Sequence, residues 1–246
     1  VGPRYTDINQ GGGGNCKIVA SLASIAYNLV PVNPVVPRLG EQLPGLANVA
    51  SGNAWILRRA MADFGDGTFG VKLGGSFYRV DGDLPSGMAN PGPEGCIWAA
   101  IAEKAICLYA PRTPGVFQWQ DLFSIGPESV FRGFGSQTAT GRILNQEFAN
   151  AQDMLVKLDA AYQACQHIVF TLASATVNGT HAYTFLNLVW SGPTITGVRF
   201  RNPWGTDGNA NGYNDGIPND GIVTLSAQQI WQDANGGRAY LASAIR

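Results

Sequence analysis

The sequence predicts an α+β protein in two lobes, a helical part over residues 1–145 and an antiparallel β part over residues 146–246. In the first part, stretches such as Glu94–Tyr109 repeat apolar residues at three- and four-residue spacing. In the second, β-rich runs alternate with turn residues: His167–Ala173, His181–Trp190, Ile195–Arg201, Ile222–Leu225 and Arg238–Ile245. No internal repeat and no heptad interrupts this division.

The first helix is expected from Cys16 to about Leu29, because Ile18, Leu22, Ile25 and Leu29 would share one face. Four glycines, Gly11–Gly14, lead into it, a composition that lets backbone N–H groups approach a ligand closely. Cys16 would stand in the first turn, where free N–H groups and the helix dipole favour an anion. A thiol pKa of about 8.5 can fall there to roughly 3.5–7.5. Pro31, Pro34, Pro37 and Pro44 mark the next stretch as a loop. Ser51-Gly-Asn53 is expected to cap a short amphipathic helix running to Phe64. Phe69–Leu73 and Phe77–Val80, joined by a glycine pair, read as a hairpin.

Trp98, Ile101, Ala105 and Leu108 form the stripe of a helix over Glu94–Tyr109, with Cys96 and Cys107 as core residues. Pro111–Gly141 shows no period and reads as loop or cleft wall, and Phe148–Gln163 reads as a last helix before the strands.

Near-neutral charge, 16 basic against 17 acidic side chains, argues against a nucleic-acid or membrane-surface partner. No apolar run approaches the roughly 18 residues that span a bilayer, so a soluble chain is expected. The 13% charged fraction with 32 glycines fits a secreted bacterial protein better than a cytosolic one. The chain starts at Val1 without initiator methionine or signal peptide, which reads as an excised domain or processed fragment.

Four groups point to acyl chemistry. Cys16 is the candidate nucleophile, set against the alternative of a buried core cysteine. Gln10, six residues upstream, could donate its amide to an oxyanion, with the Cys16 N–H as a second donor. His181 opens a strand, where its imidazole could face the other lobe; His167, at the start of HIVFTLA, reads as structural. Asn202, in Arg201-Asn-Pro-Trp-Gly205, could accept an imidazole N–H and fix the ring, and Trp204 could keep water from that bond.

QGGGGNC, THAYTF and RNPWG, in that order, resemble the signature of the calpain-type cysteine proteases, a branch of the papain-like peptidases. FGVKLGGSFYRVDGDLP and WAAIAEKAICLY resemble that family's hairpin and its Trp-containing helix. The resemblance implies a papain-like fold and a thiol endopeptidase acting on protein or peptide, with Cys16 as nucleophile, His181 as general base and acid, Asn202 as orienter, Gln10 as oxyanion donor and Trp204 as shield. Two positions depart from the family: Asn15 stands where aspartate is usual, and Lys17 where a tryptophan or other bulky residue is usual. At 246 residues the likeness is to the protease core alone, as in microbial relatives. Acyl transfer of the transglutaminase type and an inactive binding module on the same fold are the alternatives.

No cofactor is required for this chemistry. Asp207, Asn209, Asn211 and Gly212 spell the first half of an oxygen-ligand calcium loop, with Asp215 as a further carboxylate. Pro218 stands where a bidentate glutamate belongs, so a metal-free turn is the competing expectation. Asn178-Gly-Thr180 is a glycosylation sequon, expected to be an unmodified turn before His181.

Overall fold

A computed structural model of the chain describes residues 3–27, 54–172, 180–207, 217, 219–232 and 237–243. The chain is mixed α+β, with two antiparallel sheets among the described residues. Strands β1 (Met61–Asp63), β2 (Thr68–Leu73) and β3 (Ser76–Asp81) form the smaller sheet in that order. The larger has six strands in the order β4-β9-β5-β6-β7-β8: β4 is Thr140–Ile143, β5 His167–Leu172, β6 His181–Ser191, β7 Thr194–Arg201, β8 Ile222–Ser226 and β9 Arg238–Ala242. The described helices are α1 (Cys16–Ala26), α2 (Ala54–Ala60), α3 (Trp98–Tyr109), α4 (Pro127–Gly133), α5 (Leu144–Glu147), α6 (Ala151–Gln163) and α7 (Ala227–Gln232). Among the described residues no helix is long and apolar enough to cross a membrane.

The large sheet is covered on both faces, which explains why β5 is buried along its whole length. Ile168, Phe170 and Leu172 pack with Met154, Leu155 and Leu158 of α6, while Val169, between them, joins the core that contains α1. Ala182 of β6 faces α1 in the same way, and Tyr183 and Phe185 face α6. Polar bonds tie α1 to the sheet: Thr184 Oγ1 donates to Ala20 O (2.8 Å), and His167 Nδ1 donates to Ser24 O (2.9 Å). The helix that begins with Cys16 is thus fixed against the strand that begins with His181.

Several local expectations are corrected. Helix α1 ends at Ala26, and Tyr27 is already extended (φ −79°, ψ 126°). Helix α2 ends at Ala60 rather than Phe64, because Met61, Ala62 and Asp63 pair with Val71, Gly70 and Phe69 of β2. That pairing supplies partners for the backbone groups another helical turn would have used. Pro111–Gly141 is not structureless: it holds a 3-10 helix at Trp119–Ser124, the whole of α4 and the start of β4. Pro127 at the N-terminus of α4 and the buried Val130 and Phe131 were the available signals, too short for a period to emerge. Cys96 precedes α3 instead of lying on it. Helix α6 starts at Ala151, where Asn150 Oδ1 accepts the Asp153 N–H (3.0 Å) and Asp153 Oδ2 accepts the Ala149 N–H (2.8 Å). Helix α7 lies within the part expected to be mostly strand.

The hairpin forms as expected, with Leu73 opposite Ser76 and both turn residues at positive φ, Gly74 at 57° and Gly75 at 90°. The expected loop over Pro31–Pro44, the cap at residues 51–53 and residues 178–179 of the sequon lie outside the described residues.

Candidate active site

Cys16 is the first residue of α1, and Asn15 stands at the N-cap with its side chain turned away from the helix. Asn15 Nδ2 instead donates to Glu103 Oε1 (2.5 Å), and Glu103 Oε2 accepts the Ala89 N–H (2.7 Å). Glu103 is a buried residue of α3, so one carboxylate holds both the residue before the thiol and the Leu84–Pro91 loop. Asparagine at position 15 fits this partner, since an aspartate would set two carboxylates face to face. Burial pushes the Glu103 carboxyl up to about 7, against the pull of those two N–H donors. Beside it on α3, Lys104 Nζ binds the Asp81 carboxylate and the Asp81 carbonyl, fixing the end of the hairpin. The Glu-Lys pair inside an apolar stripe was the signal for these roles, and the sequence reading assigned neither residue one.

The glycine run serves a different purpose from the one expected. None of Gly11–Gly14 has positive φ. A Cβ on Gly11 would lie 1.8 Å from Met88 O, and one on Gly13 would lie 2.3 Å from Gly87 O, whereas nothing is within 4 Å at Gly12. Gly13 N also donates to Gly87 O (2.9 Å). The glycines let the loop before Cys16 pack backbone to backbone on the Leu84–Pro91 loop, and a cavity of about 550 Å³ lies between Gly12 and that loop.

Gln10 is buried and tied at both ends. Its N–H donates to Pro203 O (2.8 Å), and its Nε2 donates to Gly13 O (2.8 Å). One amide proton is therefore taken up by the loop and one remains. Arg201 reinforces the strap, donating Nη2 to Thr6 O and Ile8 O (each 3.5 Å) and Nη1 to Asp220 O (3.2 Å). Residues 6–10 are in this way held against the end of β7.

His181 and Asn202 meet as the sequence suggested, with His181 Nε2 3.0 Å from Asn202 Oδ1. The Trp204 N–H donates to the same oxygen (3.1 Å), which identifies that amide atom as oxygen, because a nitrogen could not accept both. The imidazole proton then resides on Nε2, leaving Nδ1 as the basic nitrogen. Trp204 lies over the ring, with centroids 4.6 Å apart, and Tyr183 meets it edge-on at 5.0 Å. Trp204 itself stays 38% exposed. Burial, partly offset by the Asn202 bond, pushes the His181 pKa below its ordinary 6.5 and so favours the neutral ring. His167, by contrast, is enclosed in the core beside Phe131.

No protein-family model and no curated protein matches the chain.

The thiol corrects the electrostatic expectation. Burial pushes the Cys16 pKa above its usual value, outweighing the Ala182 backbone N–H, the Lys17 charge and the first-turn N–H groups that pull it down. Desolvation wins because Cys16, though only part-buried, packs against the core that holds Val169 and Ala182. The thiol lies against the backbone of Ala182, the residue after His181. All four cysteines are unpaired thiols.

Unpartnered polar atoms also occur here. Gln10 Oε1, Asn15 Oδ1 and Asn202 Nδ2 are three of the eight buried side-chain atoms without a hydrogen-bond partner among the described residues. Each such atom costs about 1–3 kcal/mol, and they are tolerated most where a site rather than a core is being built.

Of the residues expected to form a calcium loop, Asp207 is described and Asn209, Asn211 and Asp215 lie outside the described residues. Asp207 is buried, its Oδ2 accepting the Asn219 N–H and its Oδ1 the Gly221 N–H (each 2.9 Å). Its carboxylate is a latch between Asp207 and the backbone at Asn219 and Gly221. Among the described residues no group of three or more His, Cys, Asp or Glu could hold a metal.

Proposed function

We propose that the chain is a papain-like cysteine endopeptidase of the calpain type. The observation that carries this is the His181–Asn202 bond with its tautomer set by Trp204, placed one residue from the backbone that Cys16 touches. An imidazole with a bare Nδ1, one residue along the strand from the Ala182 backbone that the thiol meets, supplies the base that activation of a nucleophile requires.

In the proposed reaction the Cys16 thiol turns from the Ala182 N–H toward His181 and passes its proton to Nδ1. The sulfur then bonds to the substrate carbonyl carbon, and the carbonyl electron pair moves onto oxygen. The Cys16 N–H and the remaining Gln10 amide proton stabilise that oxyanion. The C–N bond breaks as the imidazolium gives its proton to the leaving amine. Water, deprotonated by His181, attacks the thioester, the C–S bond breaks, and the thiol recovers its proton. Burial disfavours the charged form of both groups, which suits a sequence in which the proton passes from thiol to imidazole as the sulfur attacks. No step passes through a metal.

The test is selective alkylation. Iodoacetamide should modify Cys16 faster than Cys96, Cys107 and Cys165, and a peptide library should be cleaved by the wild type but not by Cys16→Ala. Equal labelling of the four thiols, or cleavage surviving in Cys16→Ala, overturns the reading. Steady conversion of a glutamine peptide and an amine into an amide product, without hydrolysis, would favour acyl transfer instead.

A further inference from the structure

We propose that Phe123 forms an aromatic wall of the substrate cleft and selects a large apolar side chain on the residue whose carbonyl is attacked. This rests on the cysteine-peptidase reading.

Phe123 is 50% exposed, and its ring lies over the glycine loop. A Cβ on Gly14 would meet Phe123 Cδ1 at 3.3 Å, and one on Gly13 would meet Cε1 at 3.5 Å. A phenyl face is therefore fixed beside the two residues that lead into Asn15 and Cys16.

That exposure is imposed by the fold rather than left by a free loop tip. The 3-10 helix Trp119–Ser124 is pinned through its other residues: Leu122 is buried, Asp121 Oδ2 accepts the Arg112 N–H (3.2 Å), and Ser124 Oγ donates to Asp121 O (2.8 Å). With Asp121, Leu122 and Ile125 turned inward, this short helix presents Phe123 to the outside. A rigid, half-exposed aromatic ring at the mouth of a cleft offers apolar area at little cost in side-chain entropy.

The chemistry decides which part of the substrate it meets. His181 delivers a proton to the leaving amine, so the leaving segment passes the His181–Trp204 side of the site. Phe123 belongs to the helical half, together with Gly13, Gly14 and Gly87, and so flanks the acyl segment.

The test compares peptides identical except for Leu, Phe, Gly or Asp at the residue whose carbonyl is attacked. Wild type should cleave the Leu and Phe peptides with kcat/KM about 10–100-fold above the Gly and Asp peptides. Phe123→Ala should lower kcat/KM for the Leu and Phe peptides about tenfold and flatten the series, and Phe123→Leu should recover part of the loss. Alkylation of Cys16 by iodoacetamide, which is too small to need the wall, should proceed at the wild-type rate in both variants. A wild type that cleaves while Phe123→Ala keeps the same profile leaves the peptidase reading standing and removes the wall. Slowed alkylation in Phe123→Ala would mean that the ring only shapes the glycine loop, which also overturns the proposal. A wild type that cleaves none of the peptides and no library peptide overturns both readings.

Discussion

Asn15 donates its side-chain amide to the Glu103 carboxylate at 2.5 Å across 88 residues of sequence, so the residue before the thiol is held by a helix in the middle of the chain. Glu103→Ala would leave both Asn15 Nδ2 and the Ala89 N–H without their acceptor. Stability should drop by about 2 kcal/mol or more, as expected for stranding buried donors. Urea denaturation would read this, and a loss under about 0.5 kcal/mol would mean the pair is not structural.

Glu103 and His167 should shape the pH dependence of stability with opposite signs. Burial raises the Glu103 pKa from 4.5 to about 7, so its stabilising contribution is complete below 4.5 and is lost as pH rises through 7. Burial lowers the His167 pKa from 6.5 to about 4, so its contribution is complete above 6.5 and is lost as pH falls toward 4. The two slopes oppose each other between 4.5 and 6.5, where wild-type stability should be nearly flat. Glu103→Gln should turn that plateau into a rise of about 1.4 kcal/mol per pH unit, and His167→Gln into a similar fall. Plateaus left intact in both variants would contradict the assignment.

The glycine run gives a positional test. Gly12→Ala should fold and act like the wild type, since a Cβ there meets nothing within 4 Å. Gly11→Ala, whose Cβ would lie 1.8 Å from Met88 O, must displace one of the two loops. Thermal melts and Cys16 alkylation rates should separate the two variants clearly. Equal tolerance at both positions would show that the loops do not pack as described.

Kinetics should rank the site residues. Cys16→Ala and His181→Ala should abolish turnover. Gln10→Ala should lower kcat by about 10²–10³, the range for one oxyanion donor. Asn202→Ala should cost roughly 10–100-fold, the scale for losing a group that orients a working ligand or base. The Asn202 bond raises the His181 pKa, so removing it should also move the acid limb of kcat/KM, already expected below 6.5, to still lower pH. An acid limb that stays in place would separate Asn202 from the base.

Asp207 should matter with or without calcium. Its two oxygens accept the Asn219 and Gly221 N–H groups, so Asp207→Ala should lower the melting temperature in EGTA as well as in millimolar calcium. A loss confined to calcium-containing buffer would make the residue a metal ligand rather than a latch.

Most of the strands, the hairpin and the pairing of His181 with Asn202 were legible in the sequence because each rests on local information. Alternation, turn residues and a proline that stops a strand act over a few neighbouring positions. Where β1 replaces the end of α2, and where α4 emerges from Pro111–Gly141, the deciding partner lies elsewhere in the chain, so no local period announces the element. The same division runs through the site. The order and spacing of Gln10, Cys16, His181 and Asn202 marked the candidate chemistry. The sign of the thiol shift, the need for glycine at positions 11 and 13 but not 12, and the work of Glu103 were decided only by packing. Desolvation and close backbone approach depend on what comes to lie beside a residue, and in this chain those neighbours are the Ala182 backbone, the Gly87–Met88 loop and helix α3.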